Sequence, residues 1–253
     1  MTEAQSAIPE RDISAAGWVL VTFRVVLMLI LLVVCTPLHF LWKLVGAGRF
    51  WPRTFLAGVG AIAGLHIKQE GKRRRHSLIL ANHVSWLDIP ALAHATGTAF
   101  VAQDGLAAFP FLKWLCEMNE TVFIARHDRN RIADQVAQVK AAMDQSGSLT
   151  IFPEGTTSDG DDLLPFKSAL LSAVDPFPEG AVMQPVLLKY EDGPSFAWVG
   201  TEPGLDNFLK VLARTKPIRL TIHFLEPITG DALENRKSMT HTARSAMLAK
   251  LAA

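Results

Sequence analysis

The stretch Asn82-His83-Val84-Ser85-Trp86-Leu87-Asp88 sets a histidine in a polar turn and an aspartate five positions later, directly after the apolar run Ser77-Leu78-Ile79-Leu80-Ala81. A histidine's ordinary pKa of about 6.5 suits it to act as a general base near neutral pH. An aspartate accepting from one ring nitrogen would fix the tautomer and leave the other nitrogen free to take a proton. The spacing spans a turn and the start of a helix, so the pair can fold into contact. The plainer reading makes Asp88 the N-cap of a helix beginning near Ile89-Pro90. Ser85 is available as a nucleophile, but no G-x-S-x-G elbow surrounds it.

A second polar turn, Phe152-Pro153-Glu154-Gly155-Thr156-Thr157-Ser158-Asp159-Gly160, follows the apolar run Leu149-Thr150-Ile151. It offers a carboxylate at Glu154, close backbone approach at Gly155, and the hydroxyls of Thr156 and Thr157. Such a turn can bind an anionic or polyol group, although the same residue types build ordinary loops. Lys167 would add charge near the same cleft, or simply sit solvated at a helix start. Val122-Phe123-Ile124-Ala125-Arg126 reads as a strand ending in an arginine able to grip phosphate bidentately. Arg129 and Arg131 beyond it read as an exposed helix start. Val182-Met183-Gln184-Pro185-Val186-Leu187-Leu188 reads as a core strand.

Positioning these groups falls to an alternating chain. Strands are expected at Leu65–Gln69, Leu78–Ala81, Thr98–Ala102, Thr121–Ala125, Leu149–Phe152, Val182–Leu188 and Ile218–Leu225. Helices are expected at Ile89–Ala95, Pro110–Met118, Arg129–Gln145, Lys167–Val174, Asp206–Ala213 and Ser238–Leu251. Val136, Val139, Lys140 and Met143 form the expected inner stripe of the Arg129–Gln145 helix, with Gly147 as its C-terminal cap. Alternation of this kind predicts an α/β fold: a single layered domain with a mostly parallel sheet flanked by helices. Both polar turns then fall at the carboxyl ends of strands, where ligand clefts of such sheets lie.

Before this domain, 65–253, come a polar lead-in, 1–14, and an apolar segment, 15–64. Ala15 to Leu44 is almost wholly apolar, broken once by Arg24 and again by Pro37. A spanning helix needs about 20 apolar residues, and this run reaches that only by including Arg24. A helix that spans and one that dips in and returns both fit. Trp18, Trp42 and Trp51 resemble interfacial anchors, and Lys43, Arg49, Arg53 and Lys72-Arg73-Arg74-Arg75 follow the run. By the positive-inside rule the catalytic domain would face the cytoplasm at the inner membrane. A second helix over Trp51–Ile62, with its small residues, would pair with the first or cover the domain. The net charge of +1, from 25 basic and 24 acidic residues, gives no argument for nucleic-acid binding. Cys35 and Cys116 form no paired motif. One histidine among scattered carboxylates makes no zinc shell, so no metal or resident cofactor is expected.

In this order, Asn82-His83…Asp88, Phe123-Ile124-Ala125-Arg126, Phe152-Pro153-Glu154-Gly155-Thr156 and Val182…Pro185-Val186 resemble the four blocks of the lysophospholipid acyltransferase family. The resemblance runs from about Leu65 to Leu225. It implies acyl transfer from acyl-coenzyme A or acyl carrier protein to a lysolipid hydroxyl at a membrane. His83 would serve as base with Asp88 orienting it, and Asn82, Arg126, Glu154, Gly155, Thr156, Thr157 and Lys167 would form the acceptor site. Thr157 stands where many relatives have arginine, and Gln103-Asp104 where a lysine often follows the third strand. The string Glu154 to Gly160 with Leu164-Pro165-Phe166-Lys167 is similar to a bacterial branch that includes lyso-ornithine lipid acyltransferases, whose acceptor is zwitterionic and lacks phosphate. Lysophosphatidate, the commonest family substrate, is the first expectation for the acceptor and lyso-ornithine lipid the alternative. A catalytically silent lipid-binding protein is the competing class, and a serine hydrolase acting through Ser85 a third. Oligomeric state has no signature in the sequence.

Overall fold

The computed structural model describes residues 13–103, 108–124 and 132–253. All but the last two residues of the expected lead-in, and the expected ligand Arg126, lie outside the described residues.

Two helices open the chain. The first, α1 (Ala15–Lys43), starts at Ser14, whose hydroxyl accepts the Gly17 N–H at 3.1 Å. It is the one helix among the described residues long and apolar enough to cross a membrane. The second, α2 (Phe50–Ile62), returns along it. Gly58 makes that approach possible: a Cβ there would sit 2.5 Å from a Leu31 methyl. Gly60 in the same way admits Leu65 and Pro90. The second helix therefore both pairs with the first and covers the domain.

The domain is built on a seven-stranded sheet. Its strands are β1 (Leu65–Gly71), β2 (Ser77–Ala81), β3 (Ala99–Gln103), β4 (Val122–Ile124), β5 (Ser148–Ile151), β6 (Val182–Tyr190) and β7 (Ile218–Phe224), in the order β1-β7-β6-β2-β5-β3-β4. Every neighbouring pair is parallel except β6 with β7. The mostly parallel sheet expected from the alternation is thus present. On β2, Leu78 and Leu80 enter the core on one face while Ile79 and Ala81 enter the core on the other. A strand covered on both sides has no polar alternation, which is why its sequence is continuously apolar.

Five helices follow: α3 (Asp88–Thr96), α4 (Pro110–Met118), α5 (Ile132–Ser146), α6 (Gly204–Leu212) and α7 (Arg236–Leu251). Local chemistry sets their ends. Gly97 closes α3 with a left-handed φ of 67°, and Gly147 closes α5 at 69°. Asn235 caps α7 by accepting the N–H groups of Lys237 and Ser238. Two expectations need correction. The segment expected as a helix over Lys167–Val174 is a 3-10 helix, Ser168–Val174. On α5, Val139 and Met143 are buried as expected, but Lys140 is exposed and Ala142 takes the inward place.

The basic residues after α1 are partly committed within the fold. Arg49 donates to the Gly97 carbonyl and pairs with Glu120, and Arg73 donates to the Ala95 carbonyl. They satisfy the open carbonyls at the carboxyl end of α3.

Candidate active site

β2 and β5 are neighbours at the centre of the sheet, so the two polar turns emerge side by side. They are stitched together. Glu154 accepts the His83 N–H at 3.2 Å, Ser158 donates its N–H to the His83 carbonyl at 2.7 Å, and Trp198 donates to the Val84 carbonyl at 3.0 Å. The backbone at His83 is therefore fixed on both sides.

The imidazole is fixed as firmly. Nδ1 lies 2.7 Å from Asp88 Oδ2, and Phe152 stacks on the ring at a centroid distance of 4.1 Å. Nε2 has no partner among the described residues. Asp88 is wholly buried, and its Oδ2 also accepts the Val84 and Ser85 N–H groups at 2.7 and 3.0 Å. It begins α3 but turns its carboxylate back to the preceding turn, so the N-cap reading fails. Its Oδ1 accepts the Tyr190 hydroxyl at 2.6 Å. Four donors converge on this one carboxylate and fix its position against the imidazole.

His83 lines a cleft of about 600 Å³ with Gly155, Thr156, Thr157 and Glu202 and with the apolar Leu56, Phe100, Leu115 and Trp198. A second cavity of about 50 Å³, lined by Leu32, Cys35 and Phe55, shares Leu56, Leu115 and Asn119 with it. The lining that includes the histidine is thus mixed, polar and apolar. Glu202 is held by Lys210 and by the Asn207 amide.

The other residues expected in the site divide. Gly155, Thr156 and Thr157 do line the cleft. The Thr157 hydroxyl donates to the Trp198 carbonyl and ties the second turn to the 196–202 loop. Asn82 is 1% exposed and spends both amide atoms on Leu188, accepting its N–H at 2.7 Å and donating to its carbonyl at 3.0 Å, so it braces the sheet and does not touch the cleft. Glu154 is fully buried; its second oxygen faces the Leu164 N–H at 3.4 Å, so it too supports the turns. Burial pushes its carboxyl up to about 7, against the pull of those two N–H groups. Lys167 is exposed and is not among the cleft-lining residues, which is the solvated reading. Ser85 is fully buried, out of reach of any substrate in the cleft.

Sequence reasoning missed Tyr190, Trp198 and Glu202. Tyr190 alone left a signal: it is the only tyrosine in the chain, two positions after Leu188 and on the same face of a long strand. Trp198 and Glu202 sit in an irregular loop that carries no periodicity.

A family model described as Acyltransferase matches residues 64–189. The lyso-ornithine lipid O-acyltransferase of Rhizobium meliloti is 30% identical, over 88% of this chain and 83% of that one. The 1-acyl-sn-glycerol-3-phosphate acyltransferase of Neisseria gonorrhoeae is 34% identical, over 70% of this chain and 71% of its own. In fold, the chain resembles the crystal structure of the 1-acyl-sn-glycerophosphate acyltransferase of Thermotoga maritima, with a TM-score of 0.68 over 93% of this chain and 95% of that one, at 18% identity.

Proposed function

We propose that this chain, which belongs to the acyltransferase family, moves a fatty acyl group from a coenzyme A or acyl-carrier-protein thioester to the free hydroxyl of a lysolipid, with His83 as general base. Family membership makes it an acyltransferase; donor, acceptor and base are our reading. The observation that carries it is the His83–Asp88 contact of 2.7 Å, with the histidine in the lining of an open, partly apolar cleft.

In this reading, Nε2 takes the acceptor hydroxyl's proton as the oxygen attacks the thioester carbonyl. Asp88 steadies the imidazolium that forms. The N–H groups of Thr156 and Thr157, which take no partner among the described residues, stabilise the tetrahedral oxyanion. Collapse expels the thiolate, which receives the proton from the imidazolium. A thioester is already activated, so no acyl-enzyme is needed.

For the acceptor we place lyso-ornithine lipid ahead of lysophosphatidate, the reverse of the order the motifs suggested. No lysine or arginine is among the described residues of the cleft lining, and its one carboxylate, Glu202, is already paired with Lys210. Such a lining offers little to a phosphate monoester, and the Rhizobium relative is named for an acceptor without one. Lysophosphatidate stays as the second reading, on the Neisseria relative named for it. Offering each lysolipid with labelled acyl donors decides between them: turnover confined to lysophosphatidate would remove the first choice. Purified His83→Ala should lose about 10²–10⁴-fold in rate.

The membrane attachment we infer is one-sided. Val21, Val25 and Met28 of α1 pack with Leu87, Phe196 and Leu212, and Arg24 donates to the Leu212 and Arg214 carbonyls at 3.0 and 2.9 Å. A helix held along its first half leaves about 22 Å of free length at 1.5 Å per residue, short of a hydrocarbon core of about 30 Å. Its outward face, with Phe23, Leu29, Ile30 and Val33 exposed, would lie in the bilayer, the domain on the cytoplasmic side. Impermeant labelling of vesicle-bound protein should reach both chain ends from one side.

A further inference from the structure

Asp88 has two carboxylate oxygens, and only one of them is explained by the histidine. Oδ2 serves His83 and the two turn N–H groups; Oδ1 is taken by the Tyr190 hydroxyl at 2.6 Å. That tyrosine comes from the last residue of β6, 102 positions away in sequence, and its ring is held edge-on by Phe196 at 5.1 Å. Its approach is secured by Asn82, which extends the β2–β6 pairing to Leu188, two residues before Tyr190. A side chain reaching across the sheet to the far oxygen of a buried carboxylate does two things. It stops the carboxylate rotating away from Nδ1, and it withdraws electron density that would otherwise face the imidazole.

We propose that Tyr190 is a positioning residue of the acyl-transfer site, clamping Asp88 and setting how strongly it stabilises the protonated form of His83. The inference rests on His83 being the base. Tyr190 itself donates no proton to substrate: burial, and then the charge of Asp88, hold its hydroxyl protonated, well above the usual range. The other titratable groups around the pair are Glu154, on the His83 N–H, Arg244 behind Glu154, and Glu202 across the cleft.

Because Tyr190 is the only tyrosine, a tyrosine auxotroph grown on 3-fluorotyrosine alters this one position in the chain. Two perturbations of opposite sign are therefore available. Tyr190→Phe removes the donor, leaves more negative charge facing the imidazolium, and should move the acid limb of the kcat/KM profile to higher pH. Its kcat should fall about tenfold, as for loss of one hydrogen bond to a charged group, with acceptor KM unchanged. The fluorinated protein keeps the hydroxyl and the fold, donates more strongly, and should move the limb to lower pH. Shifts in the same direction, no shift in either, or a loss carried by KM alone would overturn the clamp. Should Tyr190→Phe fail to fold, the fluorinated protein still decides by the direction of its limb. His83→Ala, assayed beside them, separates the two ideas: full activity there sinks the base assignment, whereas an inactive His83→Ala with unmoved limbs sinks Tyr190 alone.

Discussion

The turn edge of the sheet and the α1–α2 pair are held by different physics. At the turns, directional bonds do the holding: His83 alone is fixed at its N–H, its carbonyl and its ring nitrogen. The helical pair is held largely by shape and apolar contact, with Gly58 and Gly60 admitting their neighbours and Arg24 and Arg49 as polar ties to the domain. Directional bonds fix atoms to fractions of an ångström, as the proposed proton transfer would demand; apolar contact tolerates sliding, as the proposed attachment to a fluid surface would.

If this contrast holds, substitutions at the turns should cost rate and those at the helices should cost stability or attachment. Asp88→Asn is expected to show the largest effect, a loss of about 10²–10⁴-fold in kcat/KM measured with purified protein. An amide cannot accept from all four of those donors. Near-normal turnover would mean that the carboxylate does not orient the base.

Next comes Glu154, whose raised pKa has a definite sign. Below about 4.5 the carboxyl is protonated folded and unfolded, and the fold pays nothing. Between about 4.5 and 7 the unfolded chain ionises while the folded one does not, so stability falls as pH rises, by about 3 kcal/mol in total. Glu154→Gln should flatten that fall in thermal melts taken across the interval. Equal slopes in both proteins would place the group's ionisation elsewhere.

Arg24→Leu should lower stability by about 1–3 kcal/mol through the two orphaned carbonyls at the end of α6, while kcat stays within about threefold. A large fall in kcat would show that the helix reaches the chemistry after all. The smallest effect belongs to Gly58→Ala, about 1 kcal/mol, since the Leu31 methyl that its Cβ would meet can swing aside. Guanidinium-chloride melts resolve both.

Legibility in the sequence followed the same division. The two turns were readable because turn chemistry is written in a few contiguous residues, and the strands before them because two-sided burial leaves unbroken apolar runs. Roles were less readable than places. Asn82 and Glu154 look like ligands by type and proximity, yet burial makes them braces, and burial depends on partners such as Leu188 and Leu164. Arg24 looked like a flaw in an apolar run; its carbonyl acceptors lie 188 and 190 positions away. Tyr190 reaches Asp88 only after β6 is laid beside β2. Contacts of that range depend on strand order, which local pattern does not encode.

Asn82 carries one more consequence. Its side-chain amide donates and accepts on the same neighbour, Leu188, as a peptide group would, so a side chain stands in for one rung of the β2–β6 ladder at the point where the main chain must leave the sheet. The backbone is thereby released to turn one residue early without leaving the neighbouring strand unpaired. Only a short side chain with one donor and one acceptor can do this: aspartate lacks the donor, leucine both, and glutamine is a methylene too long. The asparagine before the histidine is a hinge pin, letting a stiff strand end abruptly in a residue that points away from it.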